Sequence, residues 1–376
     1  MKLRVVVLGA GFGGLELTSI LSETIGDDLD LTLIDQHDSF YFGFSKLDVM
    51  FGRKPVDSVK ISYSSITKPG VKFCKETILA IDPVKKIVTT QNKTYETDVL
   101  VVAMGANYDM HATPGLIEHG NEYYSLEGAE KLRDKIPNFR KGNAIVGVCG
   151  APFKCPPAPS EGALMLHDHL VNTGVRDACT ISLVIPYGSP IPPSPDSSKA
   201  LVKAFEERDI KFIPQHKISS LRANIAVLDD GTELPFDLFL GIPKHVAPDV
   251  VLQSGLAENG WIPVDRNNLL TKFPDVYAIG DVTSVGTPKA GVFAEGAAKI
   301  AAASIIARFH GSENDTAYTG AGSCYIEFGK GEVGRVDVDF FSGPKPFGIH
   351  HDASAAMVAD KEYFGSSRKA RWFGLA

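Results

Sequence analysis

The stretch Leu3–Gly14, LRVVVLGAGFGG, is the part of this chain that decides its fold. An apolar run leads into three glycines, Gly9, Gly11 and Gly14, after which the sequence becomes helix-like. Glycines at this spacing let the backbone approach a pyrophosphate at the N-terminus of a helix, where free N–H groups favour anions. Asp35, which ends the next predicted strand, is placed to accept the ribose hydroxyls. We therefore predict a βαβ unit that binds a nucleotide, with a purely structural glycine turn as the alternative.

The composition narrows the class of protein. A chain of 376 residues is longer than a usual single domain, and 44% hydrophobic with 22% charged residues is typical of a soluble globular protein. A net charge of −7 argues against a nucleic-acid partner, which would need a basic face. No stretch approaches the roughly 20 apolar residues of a membrane span, and the first strand starts too early for an export signal. We expect a cytoplasmic or peripheral membrane protein.

The five cysteines are few and scattered. None forms a C-x-x-C pair with metal-ligand spacing, so we expect no metal site and no disulfide framework. In a chain of this kind, a disulfide is more often catalytic than structural. The five are Cys74, Cys149, Cys155, Cys179 and Cys324.

Two later glycine motifs indicate which nucleotide is bound. The segments DVLVVAMGA, with Gly105, and VYAIGDVTS, with Gly280 and Asp281, resemble the later signatures of flavoproteins of the disulfide-reductase superfamily. The resemblance implies FAD, with Asp281 on the ribityl and pyrophosphate oxygens, the first glycine motif on the ADP half, and the backbone around Ile78 against the adenine. Buried strands that end in ordinary turns are the alternative reading of the same segments.

Lys289 precedes a predicted helix that begins near Gly291. A lysine and a helix N-terminus beside the flavin would stabilise the negative charge of its reduced form. A solvated lysine in a loop is the alternative.

The order of these motifs predicts the fold class and the domains. We expect an α/β protein with two Rossmann-like, doubly wound domains of the FAD/NAD(P)-linked disulfide reductase type, followed by a C-terminal segment. The predicted FAD-binding domain is discontinuous and comprises residues 1–105 and 265–323. Residues 106–264 form the second Rossmann-like domain, and residues 324–376 form a C-terminal segment for the electron acceptor or a membrane.

The second Rossmann-like domain lacks the fingerprint for a pyridine nucleotide. Its first strand is followed by GAPFKCPPAPSE, Gly150–Glu161, where a glycine turn and a helix are expected, and the next strand ends without an acid or an arginine. The prolines of this stretch remove N–H donors and are expected to stop a helix from starting there. They are Pro152, Pro156, Pro157 and Pro159. The sequence therefore predicts that this domain has no binding site for the pyrophosphate of NADH.

A family resemblance rests on the same stretch. FKCPPAPSE, in which Glu161 follows Cys155 by six positions, together with GSCYIEFG around Cys324, resembles the sulfide:quinone oxidoreductases and the flavin subunit of flavocytochrome c sulfide dehydrogenase. The resemblance implies that Cys155 and Cys324 meet over the flavin. Sulfide would open their disulfide, and FAD would pass the electrons to a quinone. Glu161 would accept a proton or tune the thiol, and a surface acid that caps a helix is the alternative.

The chain also departs from that pattern. Many members carry a third cysteine about thirty residues before the position of Cys155, whereas this chain has none there, and Cys149 is favoured as a core residue. Both cysteines of the pair also have an alternative as small buried hydrophobes. Three rival functions stay open: a flavin subunit that donates electrons to cytochrome c, a type II NADH:quinone oxidoreductase, and a flavoprotein that binds or signals without turnover.

The C-terminal segment has two interpretations. Its basic residues beside aromatics suit either an anionic membrane surface or a helix docked on its own domain. They are Arg368, Lys369 and Arg371 with Phe364, Trp372 and Phe373. Tyr325 and Phe328 are candidate walls of the acceptor pocket. We assign no histidine to catalysis, and the sequence is compatible with a homo-oligomer.

Overall fold

The computed structural model describes residues 2–314 and 316–375, and these contain 22 strands and nine α-helices. The strands are β1 Leu3–Leu8, β2 Leu29–Asp35, β3 Ser39–Phe40, β4 Ile61–Ser62, β5 Val71–Lys75, β6 Ile78–Asp82, β7 Ile87–Thr90, β8 Thr94–Glu96, β9 Val99–Val102, β10 Asn107–Asp109, β11 Gly142–Val148, β12 Cys179–Ile185, β13 Ile210–Pro214, β14 Ile218–Arg222, β15 Ile225–Leu228, β16 Glu233–Pro235, β17 Leu238–Ile242, β18 Lys244–Val246, β19 Val276–Ala278, β20 Gly322–Gly329, β21 Glu332–Asp339 and β22 Phe347–Ser354. The helices are α1 Phe12–Ile25, α2 Ser45–Met50, α3 Leu116–His119, α4 Leu126–Lys135, α5 Ala158–Asn172, α6 Pro195–Glu206, α7 Asp249–Gln253, α8 Gly291–His310 and α9 Ala356–Phe373.

Two parallel sheets organise the molecule. The first has the strand order β19-β9-β1-β2-β5, and the second has the order β13-β12-β11-β17. The central strands β1 and β11 are buried from Val5 and from Ala144 onward, which is why each reads there as a continuous apolar run. The predicted α/β fold with two Rossmann-like units is confirmed.

The sheets deliver the site segments to one region. Helix α1, which follows the first glycine motif, packs against α8, and both lie on the first sheet. The late strand β19 joins this sheet beside β9, so Gly280 and Gly105 follow neighbouring parallel strands. Helix α5, which follows β11, packs against β20 of the antiparallel sheet β20-β21-β22. The segments around Cys155 and Cys324 are therefore brought together by the contact of α5 with β20.

The C-terminal helix α9 is docked on the protein itself. Trp372 and Phe373 are buried in the core of the first domain, and the Trp372 ring makes edge contacts with Phe12 and Phe40. Arg368 pairs with Glu295 of α8 at 2.8 Å. The docked-helix interpretation of the basic and aromatic residues therefore describes the structure.

Glu16 of α1 is the buried anchor for this helix. Its side chain is 3% exposed and accepts hydrogen bonds from Trp372 Nε1 at 2.7 Å and from Arg371 Nε at 2.9 Å. Arg371 also reaches Glu23, whose side chain is 50% exposed. The two carboxylates thus share Arg371, but Glu16 is buried and also binds the Trp372 indole, whereas Glu23 is exposed.

We expect Glu16→Ala to lower the free energy of unfolding by about 3 kcal/mol, because the change leaves the buried indole N–H and part of a guanidinium without an acceptor. Glu23→Ala, the matched exposed control, should cost less than about 1 kcal/mol. Denaturant unfolding followed by tryptophan fluorescence measures both. Equal losses in the two variants would contradict this assignment.

Within the described residues, no helix combines the length and the apolar character needed to cross a lipid bilayer.

Candidate active site

Cys155 lies in the loop between β11 and α5 in a constrained backbone conformation. Its φ of 52° is in the left-handed region, which non-glycine residues rarely adopt. The Cys155 N–H donates to Lys289 O at 2.7 Å, and the Cys155 carbonyl accepts from Ala158 N at 2.8 Å. Conformations of this kind persist where the surroundings hold them and are enriched at functional sites.

Cys324 is carried to the same place by β20. Both cysteines pack against one hydrophobic core, and both are free thiols in the structure. The two thiols also interact electrostatically, since negative charge on Cys324 raises the pKa of Cys155. Both cysteines also lie near Glu161, which joins α5 to β20 through Glu327 N at 3.1 Å, so the structure brings together two segments that lie far apart in the sequence.

The thiols lie in surroundings that disfavour their ionised forms. Burial raises the pKa of Cys155 well above its ordinary value, and negative charge on Glu161 and Cys324 adds to this effect. Burial, with Glu161 and Asp337, raises the pKa of Cys324 to about 12. Sulfur chemistry at this pair therefore needs a nearby group that accepts and donates protons.

Glu161 is that nearby group. It lies in the first turn of α5, is 2% exposed, and accepts a hydrogen bond from Glu327 N at 3.1 Å. Burial raises the pKa of Glu161 to about 7, although the positive charge of Lys361 opposes the shift. The alternative of a surface acid is wrong. A carboxyl group with this pKa exchanges protons readily near neutral pH.

The expectation that the prolines prevent a helix from starting in Gly150–Glu161 is wrong. Helix α5 begins at Ala158, inside this stretch, with Pro159 in its first turn. Proline is tolerated there because the first N–H groups of a helix have no intrahelical acceptor. The prolines delay the helix beyond the Cys155 loop and do not abolish it.

The first glycine motif has the shape of a nucleotide cradle. A Cβ on Gly9, whose φ is 99°, would lie 2.4 Å from Ala103 O, and one on Gly14 would lie 1.9 Å from Gly9 O. Nothing lies within 4 Å of a Cβ placed on Gly11. Gly9 and Gly14 are thus required by packing, while Gly11 borders open space. Asp35 accepts a hydrogen bond from Ala10 N at 2.8 Å beside this cradle.

The other predicted cofactor residues border the same sheet edge. Gly105 and Gly280 follow β9 and β19 with φ values of 66° and 76°. Ile78 begins β6, just after Glu76, whose N–H donates to Asp35 O at 2.9 Å. Burial raises the pKa of Asp281, against the positive charges of three lysines.

Lys289 is a buried residue at this edge, so the alternative of a solvated loop lysine is wrong. It is 5% exposed, and its ammonium donates to Asp281 O at 2.5 Å and to Thr283 O at 3.3 Å. The ammonium also lies 3.3 Å from the centre of the Trp261 ring. Burial lowers the pKa of Lys289 to about 8.

Sequence reasoning missed a polar cluster next to Cys155. Lys154, Tyr108, Tyr124, His245 and Lys46 are linked by hydrogen bonds and ring contacts. The adjacency of Lys154 to Cys155 is the one sequence signal that pointed to this cluster, since its other members come from separate loops and strands.

The second sheet has its nucleotide edge filled by its own side chains. Phe153 is 3% exposed and stacks on Tyr187, with ring centres 5.7 Å apart. These residues follow β11 and β12, at the carboxyl ends of the strands where Rossmann-like domains bind nucleotides. A Cβ on Gly150 would lie only 3.0 Å from the Lys244 side chain. This edge is therefore packed where a dinucleotide would need room.

Two Rossmann-like units, three glycine motifs on one sheet edge and a cysteine pair beside them define a flavin-dependent oxidoreductase. A family model described as pyridine nucleotide-disulphide oxidoreductase matches residues 3–156 and 160–304, and the chain belongs to that family. The expectation of an enzyme of this type is thereby confirmed, and family membership implies a flavin cofactor.

Known proteins refine the resemblance. A mitochondrial sulfide:quinone oxidoreductase of Mus musculus is 25% identical over 358 residues, which cover 91% of this chain and 79% of that protein. The solved structure of the sulfide:quinone oxidoreductase of Aquifex aeolicus superposes with a TM-score of 0.90 at 22% identity, covering 100% of this chain and 93% of that one. An alternative NAD(P)H-ubiquinone oxidoreductase of Arabidopsis thaliana is 25% identical over 328 residues, covering 75% of this chain and 62% of that protein. The resemblance to the sulfide:quinone oxidoreductases is confirmed.

Proposed function

We propose that this protein oxidises sulfide, or a related sulfur nucleophile, through Cys155 and Cys324 and passes the electrons through FAD to a quinone. The observation that carries the proposal is the grouping of both cysteines with the buried Glu161 at the contact of α5 with β20. The similarity to sulfide:quinone oxidoreductases over most of the chain supports it.

The chemistry begins from the oxidised pair. HS⁻ attacks one sulfur of the Cys155–Cys324 disulfide, the S–S bond breaks, and a persulfide and a thiolate result. A second HS⁻ attacks the outer sulfur of the persulfide, which frees the second cysteine thiolate and gives HSSH. Loss of one proton from HSSH then gives the product HSS⁻. The two thiolates re-form the disulfide by giving up two electrons. Glu161 accepts the proton, because its pKa of about 7 keeps much of it ionised at neutral pH.

We propose FAD as the flavin that this cradle binds. Gly9, Gly11 and Gly14 with Asp35 would hold the ADP half, while Ile78 would lie against the adenine. Gly105, Gly280, Asp281 and Lys289 would hold the flavin half. When bound, FAD takes the two electrons from the cysteine pair and delivers them to the acceptor.

A quinone is the proposed acceptor, and a membrane surface its source. Tyr325 neighbours Cys324 on β20 and contacts the Phe364 ring of α9, whereas Phe328 is buried in the hydrophobic core against which the cysteines pack. Tyr363 on α9 is 70% exposed and Ile349 on β22 is 56% exposed. We assign the proposed contact with a lipid interface to these side chains of the C-terminal segment.

The rival NADH:quinone function has less support. The packing of Phe153 on Tyr187 fills the nucleotide edge of the second sheet. A second rival, a flavin subunit that donates electrons to a cytochrome, shares the sulfur chemistry and differs only in the acceptor.

Anaerobic mixing of the purified flavoprotein with either sulfide or NADH tests the electron donor. We expect sulfide to bleach the flavin absorbance near 450 nm at least about a hundredfold faster than NADH, since only sulfide can open the cysteine disulfide. Adding a short-chain quinone to the reduced protein should restore the absorbance. Rapid bleaching by NADH with none by sulfide would overturn the proposed function.

A further inference from the structure

Lys154 carries an ammonium group for which the described residues provide no carboxylate partner. Its Nζ donates to Ala106 O at 2.7 Å and to Tyr108 Oη at 3.3 Å, and it lies 4.8 Å from the centre of the Tyr108 ring. Burial disfavours the charged form, but the charges of Tyr108 and Asp281 outweigh it and keep the pKa of Lys154 above its ordinary value. The side chain is therefore a cation at neutral pH.

Its position borders the proposed flavin site on two sides. Ala106 directly follows Gly105 of the second glycine motif, and Cys155 directly follows Lys154. An isolated parallel β-bridge between the backbones of Lys154 and Lys289 joins the cysteine loop to the segment that follows Asp281. The ammonium thus lies between the cysteine that delivers electrons and the backbone that would hold the flavin.

The charged and titratable groups around it make this region positive. Lys46, Lys154 and Lys289 all act on Asp281. Glu122, whose carboxylate accepts a hydrogen bond from Tyr124 N at 2.6 Å, adds a second negative charge on the Tyr108 side of the cluster, so the three lysines still exceed the carboxylates. His245 contributes no charge, because burial and the neighbouring Lys154 lower its pKa to about 3. Its Nδ1 lies 2.8 Å from Pro243 O, and its Nε2 accepts a hydrogen bond from Lys154 N at 3.2 Å, which assigns the neutral tautomer. A site with this excess of positive charge is suited to an anion.

We propose that Lys154 is a flavin-binding residue whose ammonium balances the negative charge of the reduced flavin ring. The inference rests on the flavin site of the proposed function. A flavin ring that takes up two electrons and one proton carries one negative charge, and a fixed cation beside it favours that state.

Lys154 has a donor left for this purpose, whereas Lys289 acts on the flavin through its charge alone. A lysine ammonium has three N–H donors. Lys289 directs its ammonium at two carbonyl oxygens and the face of Trp261. Lys154 uses two donors, on Ala106 O and Tyr108 Oη, and its ammonium lies 4.8 Å from the Tyr108 ring centre, farther than the 3.3 Å between Lys289 and the Trp261 ring centre. The third is available to a ligand, so Lys154 acts beside the predicted Lys289.

Spectroelectrochemical titration of the flavoprotein, with no sulfide or quinone present, tests the proposal. In Lys154→Met the equilibrium constant for flavin reduction should fall about tenfold or more, which lowers the two-electron potential by about 30 mV. Lys154→Arg keeps the charge and should stay near the wild-type value. Lys141→Met, which removes an exposed lysine from the same domain, is the matched control and should not change the potential.

The pH dependence of the wild-type potential gives a second measurement that needs no variant. Uptake of one proton with two electrons gives a slope of about 30 mV per pH unit around neutral pH, and uptake of two protons gives about twice that slope. A wild-type slope at the doubled value, or a Lys154→Met protein with unchanged potential and slope, would overturn the proposal. Because no sulfur donor enters this experiment, its outcome is separate from the sulfide test of the proposed function.

Discussion

Replacing Cys155 by serine is expected to slow flavin reduction by sulfide about a thousandfold or more, while the protein keeps its flavin and is still reduced by dithionite. A hydroxyl group cannot form the disulfide that sulfide opens, so the two-electron step loses its route. Cys324→Ser should have an effect of the same size, because each cysteine needs the other. The double variant should be no slower than either single variant, since residues that act as one unit are not additive. Anaerobic stopped-flow absorbance measures all three rates.

Cys179→Ser is the matched control for these variants. Cys179 is a buried free thiol at the start of β12, packed in the core and not in the cysteine loop. Its replacement should leave the rate within about twofold of wild type, with only a stability cost. Full sulfide reduction in Cys155→Ser, or losses in the two single variants that multiply in the double variant, would remove the cysteine pair from the mechanism.

The fold could be predicted from local patterns because each pattern carries its own physical requirement. Gly9 and Gly14 have no room for a Cβ, and the strand before them is apolar from Val5 to Leu8 because these residues are buried. Such constraints are readable in the sequence without knowledge of distant contacts. The positions of Cys155 and Cys324 were predicted from a resemblance, since no local pattern says that α5 packs against β20.

The rest of the site depends on tertiary contacts that a sequence does not display. The sequence leaves a surface cap open as an alternative for Glu161, and its burial follows from the packing of β20, which also supplies the Glu327 N–H. Lys154 and His245 meet because a loop and a distant strand, β18, are brought together by the second sheet. The prediction that the prolines prevent a helix was wrong because proline is unfavourable in the middle of a helix but is tolerated in its first turn.

Glu161→Gln is expected to slow sulfide reduction of the flavin about a hundredfold at about pH 8, and much less at about pH 5.5. With a pKa of about 7, Glu161 is a carboxylate at the higher pH and is already protonated at the lower pH. The difference between wild type and variant should therefore grow as the pH rises through 7. The ionisation of sulfide is the same for both proteins and cancels in the ratio of their rates.

Glu118→Gln, on an exposed residue of α3, is the matched control and should follow the wild-type profile at every pH. The sign of the Glu161→Gln effect separates two roles for this carboxylate. Its negative charge raises the pKa of both Cys155 and Cys324, so a purely electrostatic role predicts thiolates that form more easily and a faster reaction in the variant. A role as proton acceptor predicts a slower one. A rate that rises in Glu161→Gln, or a ratio independent of pH, would therefore assign Glu161 to the tuning of the thiols and leave the proton to another group.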